Sequence, residues 1–174
     1  MSKLRGAVVA IICASVMGTA TACSKKSLAI PDNFCHVPVQ TLSPLVPDGD
    51  SLKQDYRALE ATPGAACNLW VDGHNILYAD VTLSTRAPEP TNWNKVGTQY
   101  KHVAQRKVAF PGHAAIGSDH AIVEATCSKN TGYLTVSLYF FGDRVDDTPT
   151  GYKKLLRFVD DFVPKQTKKF GCTT

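Results

Sequence analysis

The sequence contains no Cys-x-x-Cys pair, no Gly-x-Ser-x-Gly elbow and no internal repeat. The first absence argues against a cysteine-based metal site. The second removes the strand-to-helix turn that exposes a hydrolase serine, and the third argues against repeat architectures. A membrane-spanning run is also missing. The apolar stretch Ala7–Val16 is too short to cross roughly 30 Å of hydrocarbon, which takes about 20 apolar residues. Excess charge of one sign is lacking too. Once Lys3 and Arg5 are removed with the leader described next, the formal charge falls from +4 to +2. That balance gives no reason to expect a nucleic-acid partner.

What is present begins with an export signal. Lys3 and Arg5 precede the apolar stretch, and Gly18-Thr19-Ala20-Thr21-Ala22 leads to Cys23. This order predicts a signal peptide over residues 1–22. Ala20-Thr21-Ala22 satisfies the small-x-small rule of ordinary secretion. With a cysteine directly after it, the segment also resembles a bacterial lipobox, whose cysteine takes a diacylglycerol and becomes the new N-terminus. Ala20 stands where lipoboxes usually carry leucine. Cysteine parity supports lipidation. The processed chain keeps Cys23, Cys35, Cys67, Cys127 and Cys172, and an exported protein with an odd thiol needs an explanation. Lipidation of Cys23 leaves four cysteines for two disulfides. Two acyl chains anchor stably where one does not, and Lys25 and Lys26 would lie beside the headgroups. Residues 23–33 are therefore read as a lipidated tether on the outer face of the cell membrane, and residues 34–174 as one domain.

Within that domain, the apolar stretch Val37–Val46 is interrupted by Pro38, Pro44 and Pro47 and allows at most a turn or two of helix near Val39–Leu45, and Pro47-Asp48-Gly49-Asp50 reads as a turn. Ser51–Ala61 leans towards extended structure. Asn68–Val71 and Ile76–Ser84 flank Asp72-Gly73-His74-Asn75 as a hairpin, with Leu77, Ala79, Val81 and Leu83 on one face. A second hairpin joins Ala121–Cys127 to Tyr133–Phe141 across Ser128–Gly132. In it Leu134, Val136, Leu138 and Phe140 face one way, and Tyr133, Thr135, Ser137 and Tyr139 the other. The period then changes. Tyr152, Leu155, Leu156, Val159, Phe162 and Val163 recur at helical spacing, with Thr148 or Thr150 as candidate cap and Pro164 as the expected end or kink. The expected fold is α+β, with an antiparallel sheet covered on one face by the C-terminal amphipathic helix, in two layers.

The four cysteines permit three pairings. Cys127 lies on the apolar face of its strand and Cys172 follows the helix that should cover that face. Cys35 opens the domain and Cys67 stands at the first clear strand. The expectation is Cys35–Cys67 and Cys127–Cys172. The run from Phe34-Cys35 through Ala66-Cys67-Asn68-Leu69-Trp70 into Ile76–Leu83 resembles a large group of actinobacterial lipoproteins that share a domain of unknown function, the 3558 series. Their cysteine-to-tryptophan spacing is one residue shorter than Cys67–Trp70. The resemblance covers most of residues 34–172. It implies a cell-envelope lipoprotein of undefined role and carries no catalytic residue across.

Several groups invite a chemical reading. Ser118-Asp119-His120 holds the residue types of a hydrolase triad, but consecutive residues do not converge on one another, and a polar turn is the simpler account. His113 with Asp119 and His120 fits no standard metal-ligand spacing. Asp80 and Glu124 suggest paired carboxylates, which are commonplace on exposed strands. The stretch Arg86–Pro111 is more interesting, because long loops between strands are often functional. It combines Pro88 and Pro90 with Trp93, Lys95, Tyr100, Lys101, Arg106 and Lys107. Aromatic and cationic residues together suit recognition of a sugar or protein. Trp93, Lys95, Tyr100, Lys101 and Arg106 are thus the candidate binding residues, against a plain alternative of a two-turn helix near Asn94–Val103 that packs Trp93 and Tyr100 inward. Lys165, Lys168 and Lys169 read as a solvated helix end. The leading expectation is a non-enzymatic binding or accessory lipoprotein with an envelope protein or glycan partner, and neither metal nor cofactor. The rivals are an envelope hydrolase whose active site is not recognised and a secreted protease inhibitor presenting Arg86–Asn92.

Overall fold

The computed structural model describes residues 28–86, 92–96, 100–127 and 132–172. The expected signal peptide, Cys23 and most of the 128–132 turn lie outside these residues. A short hairpin, β1 (Asn33–Phe34) and β2 (Val37–Pro38), opens the fold, followed by a 3-10 turn at Ser43–Leu45. The remaining elements are β3 (Leu52–Ala58), β4 (Gly64–Val71), β5 (His74–Ser84), α1 (Trp93–Val96), β6 (Ala104–Arg106), β7 (Gly112–Ile116), β8 (His120–Thr126), β9 (Tyr133–Phe140) and α2 (Tyr152–Lys169). β3–β9 form one antiparallel sheet in the order β3-β4-β5-β9-β8-β7-β6. Two meanders, β3–β5 and β6–β9, are thus sewn together where β5 pairs with β9.

The two hairpins expected from alternation are present, with tighter local chemistry. Asp72 and Gly73 alone form the β4–β5 turn, at φ 49° and 80°. This is the backbone of a two-residue type I′ connection, so His74 and Asn75 already belong to β5. The Asp72 carboxylate accepts N–H groups from Asp50 (3.0 Å) and Ser51 (2.8 Å), which locks the preceding turn beside this one. The extra residue needed to keep register is absorbed by an irregularity between Leu69 and Trp70.

One face of the sheet is apolar and covered. Cys67 and Leu69 of β4, Leu77, Ala79 and Val81 of β5, Leu134, Val136 and Leu138 of β9, and Ala121 and Val123 of β8 are all buried. α2 lays Leu155, Phe158, Val159, Phe162 and Val163 on this face, over β7 and β8. The N-terminal segment shares the work. Phe34 packs against both Phe158 and Phe162 at centroid distances of 6.3 and 5.9 Å, and Leu42 and Leu45 are buried in the same core. Leu28 and Ile30, in the stretch expected to be tether, also pack against this core, which shortens the free linker.

Both expected disulfides are formed. Cys35–Cys67 (Cα–Cα 5.6 Å) ties the N-terminal segment to the middle of β4, and Cys127–Cys172 (4.6 Å) ties the chain after α2 to the end of β8. They close sequence separations of 32 and 45 residues. At that length each restricts the unfolded chain by up to about 4 kcal/mol.

Three expectations need correction. Pro164 does not end α2, which runs through it to Lys169. Pro164 sits on the exposed stripe, where water can serve the carbonyl left without its N–H partner, while Gln166 and Thr167 beyond it are buried and hold the last turns down. Neither Thr148 nor Thr150 caps the helix. Its N-cap is Gly151, and the first N–H groups are met by the backbone carbonyls of Thr150 and Gly151. Of the two-turn helix expected near Asn94–Val103, the described residues show only α1; residues 100–103 are not helical and lead into β6, with β7 following.

Candidate functional site

The face opposite α2 carries a different chemistry on the same strands. Side chains alternate along a strand, so burying Leu77, Ala79 and Val81 sends Tyr78, Asp80 and Thr82 the other way. Likewise Leu138 and Val136 send Tyr139, Ser137 and Thr135, and Ala121 sends His120. Register aligns these residues across strands. Asp55, Asn68, Tyr78, Tyr139 and His120 form one row, and Arg57, Ala66, Asp80, Ser137 and Ile122 the next. The rings of the first row touch. Tyr78 and Tyr139 are 5.9 Å apart, Tyr139 and His120 4.4 Å, and Phe141 lies near-parallel to Tyr139 at 6.4 Å.

In the second row Asp80 is fixed from both sides. Tyr78 donates its hydroxyl to one carboxylate oxygen (3.1 Å) and Thr82 donates to the other (3.2 Å). Partial burial and the Asp80 charge raise the Tyr78 pKa, so the phenol stays protonated and remains a donor. Asn75 donates to Asn68 at 2.8 Å beside Trp70, and Lys53 lies 5.5 Å over the Trp70 ring. An open depression of about 440 Å³, lined by Ser51, Lys53, Trp70 and Gly73, continues the face to the β3 edge.

His120 is the exception on this face. It is 1% exposed, because Tyr100 from the strap before β6 stacks on it at 3.7 Å. Neither imidazole nitrogen reaches a partner at ordinary hydrogen-bond geometry, although the Leu138 backbone is near. Burial penalises the imidazolium and lowers its pKa to about 4. The ring is therefore neutral at pH 7 and shielded from solvent, which makes it part of the packing rather than a base.

The triad reading of Ser118-Asp119-His120 dissolves accordingly. Ser118 turns away and pins the strap, its N–H and hydroxyl both donating to the Lys101 carbonyl (3.2 and 3.4 Å). His113 is exposed and pairs in register with Glu124, apart from buried His120, and no group of three metal-ligating side chains gathers among the described residues. Asp80 and Glu124 do share the open face. They stand two strands and one two-residue step apart, roughly 11–12 Å between Cα atoms from ordinary strand spacing. Parallel side chains at that distance are too far apart for a glycosidase pair.

The binding residues expected between Arg86 and Pro111 are not brought together. Tyr100 lies on the open face. Arg106 lies on the helix side, its guanidinium 3.7 Å over the Tyr152 ring. Exposed Lys101 pairs with Asp147 at 2.8 Å, and His102 reaches the same carboxylate at 3.3 Å, which clamps the strap to the loop after β9. Lys95 belongs to α1, as does Trp93, whose side chain lies outside the described residues along with 87–91 of the proposed inhibitor loop. The basic tail is partly structural. Lys169 donates to the Cys35 carbonyl (3.0 Å) over the Tyr56 ring, its pKa lowered by partial burial, and Lys165 pairs with Asp161.

Sequence alone did not mark the Tyr78–Tyr139 row as a candidate site. The available signal was the kind of residue opposite the apolar positions: Tyr, Asp and Thr on β5, and Thr, Ser and Tyr on β9. Comparison with protein-family models, with curated proteins and with solved structures found no match to this chain.

Proposed function

We propose that this chain is a non-enzymatic binding or accessory lipoprotein of the cell envelope, tethered to the outer face of the membrane through Cys23 and presenting the open sheet face to its ligand. The observation that carries the reading is that face. A disulfide-stapled sheet holds an aromatic and polar array in fixed register. Rigid strands position such groups without an ordering cost on binding. The leader, the lipobox-like Ala20–Cys23 segment and the family resemblance support the address, and two disulfides suit an oxidising compartment.

Two measurements test it. Intact mass of the protein from its native membrane fraction should show a chain beginning at Cys23, heavier by a diacylglycerol, with four cysteines blocked until reduction. A chain cut after Ala22 and found in the medium with a free thiol would refute the tether. For the function, the Cys23→Ser chain should be retained on delipidated envelope material and be inert in an esterase, peptidase and glycosidase panel. Turnover abolished by one substitution would replace the binding reading with the hydrolase.

A further inference from the structure

Building on the binding reading above, we infer that the open face is a site for a neutral glycan, with Asp80 as its central hydrogen-bond acceptor and the Tyr78–Tyr139–Phe141 rings as its stacking platform. Three observations select this ligand class. The first is acceptor geometry. A carboxylate offers about four lone-pair sites, and Asp80 gives one per oxygen to Tyr78 and Thr82. Asp80 is only partly buried, so in the proposed complex its remaining capacity would go to adjacent hydroxyls of a sugar ring, with the carboxylate plane already held from two sides. The second is the rings. Tyr78 and Tyr139 are half-buried, so each is supported by the sheet with part of its surface in solvent, and they run directly into Phe141, which is 44% exposed. Aromatic surfaces of this kind take the apolar C–H face of a pyranose while polar groups beside them take its hydroxyls.

The third observation is charge. Lys53 and Arg57 alternate with Asp55 on β3, and Asp80 and Glu124 follow across the sheet. No single sign dominates, so the face complements a neutral ligand rather than a polyanion. A protein or lipid partner fits less well. Phe141 is the large apolar side chain that this face leaves strongly exposed among the described residues, and a protein or lipid contact needs a contiguous apolar patch of a few hundred Å².

The test titrates the Cys23→Ser chain, by calorimetry, with malto-, cello-, manno- and chito-oligosaccharides and with the neutral polysaccharide fraction of the envelope. Saturable binding to at least one is expected, changed by less than about twofold between low and high salt, as screening demands of an uncharged ligand. Asp80→Asn should weaken it at least about tenfold, since charge-assisted hydrogen bonds are the strong ones. Tyr78→Phe, which releases one side of the carboxylate, should weaken it less, and Tyr56→Ala on the helix side should leave it unchanged. Melting curves of each variant separate lost binding from lost fold. Retention on envelope material without titration by any glycan overturns the glycan assignment and leaves the binding reading standing. Loss of both overturns both. Binding that survives in a folded Asp80→Asn chain, or that collapses with salt, overturns the site.

Discussion

The two faces of one sheet, built from alternate residues of the same strands, obey different rules. Leu77, Ala79 and Val81 are sealed under α2 and the N-terminal segment, and their identity is dictated by transfer out of water and by close packing. Tyr78, Asp80 and Thr82, their immediate neighbours, escape that demand, so their identity is available to report on a ligand. The covered face says how the protein stands up, and the open face is where the proposed binding function is placed. The sharpest test of this division is Phe158→Ala. It removes a ring stacked at 5.0 Å on Phe162 and packed against Phe34, and should cost about 3–5 kcal/mol in denaturant unfolding. Envelope retention by the fraction still folded should not change.

His120 tests the rule from the other side, as an open-face residue that behaves like core. Its ordinary pKa is 6.5 and burial brings it to about 4. Between those values the unfolded chain holds the proton and the folded chain does not. Lowering the pH therefore favours unfolding, beginning near 6.5 and complete near 4. The loss should reach on the order of 3 kcal/mol. Urea midpoints at neutral and acidic pH will show it, and His120→Leu should flatten that part of the slope. A smaller effect belongs to Gly73→Ala. Its φ of 80° is hard for an L side chain although no atom lies within reach of a new Cβ, so about 1 kcal/mol is expected, read as a lowered melting temperature. Smallest of all, Ser137→Ala in the middle of the open face should move stability by less than about 0.5 kcal/mol. A large loss there would mean that the open face is a second core after all.

Most of the covered layer was legible because its forces are periodic. Alternation exposed β5, β8 and β9, the hairpin turn exposed the second half of β4, the 3.6-residue repeat exposed α2, and the side of Cys127 relative to that helix indicated its partner. β6 and β7 escaped for a physical reason. Ala114, Ala115 and Ile116 are all buried, so small apolar residues on both sides erase the alternation. Pro164 misled because its consequence depends on which side of the helix it meets. The candidate site was legible only in its materials. Tyr78 and Tyr139 are neighbours through the β5–β9 pairing, a contact between distant stretches that no local pattern encodes. Conversely, the Trp93–Arg106 cluster was contiguous in sequence, and the fold distributes Tyr100 and Arg106 to opposite faces.

The Cys35–Cys67 bond has a mechanical meaning as well. In the proposed anchored state, a tug between membrane and ligand enters the domain just before Leu28 and leaves through β5 and β9. Without a crosslink that pull would peel the N-terminal segment away from α2 one contact at a time. With it, tension passes from Cys35 straight into the centre of β4, two strands from the Tyr139 row. The hydrogen-bond ladders of β4, β5 and β9 then bear the force together, and the bond serves as the mooring point of the sheet.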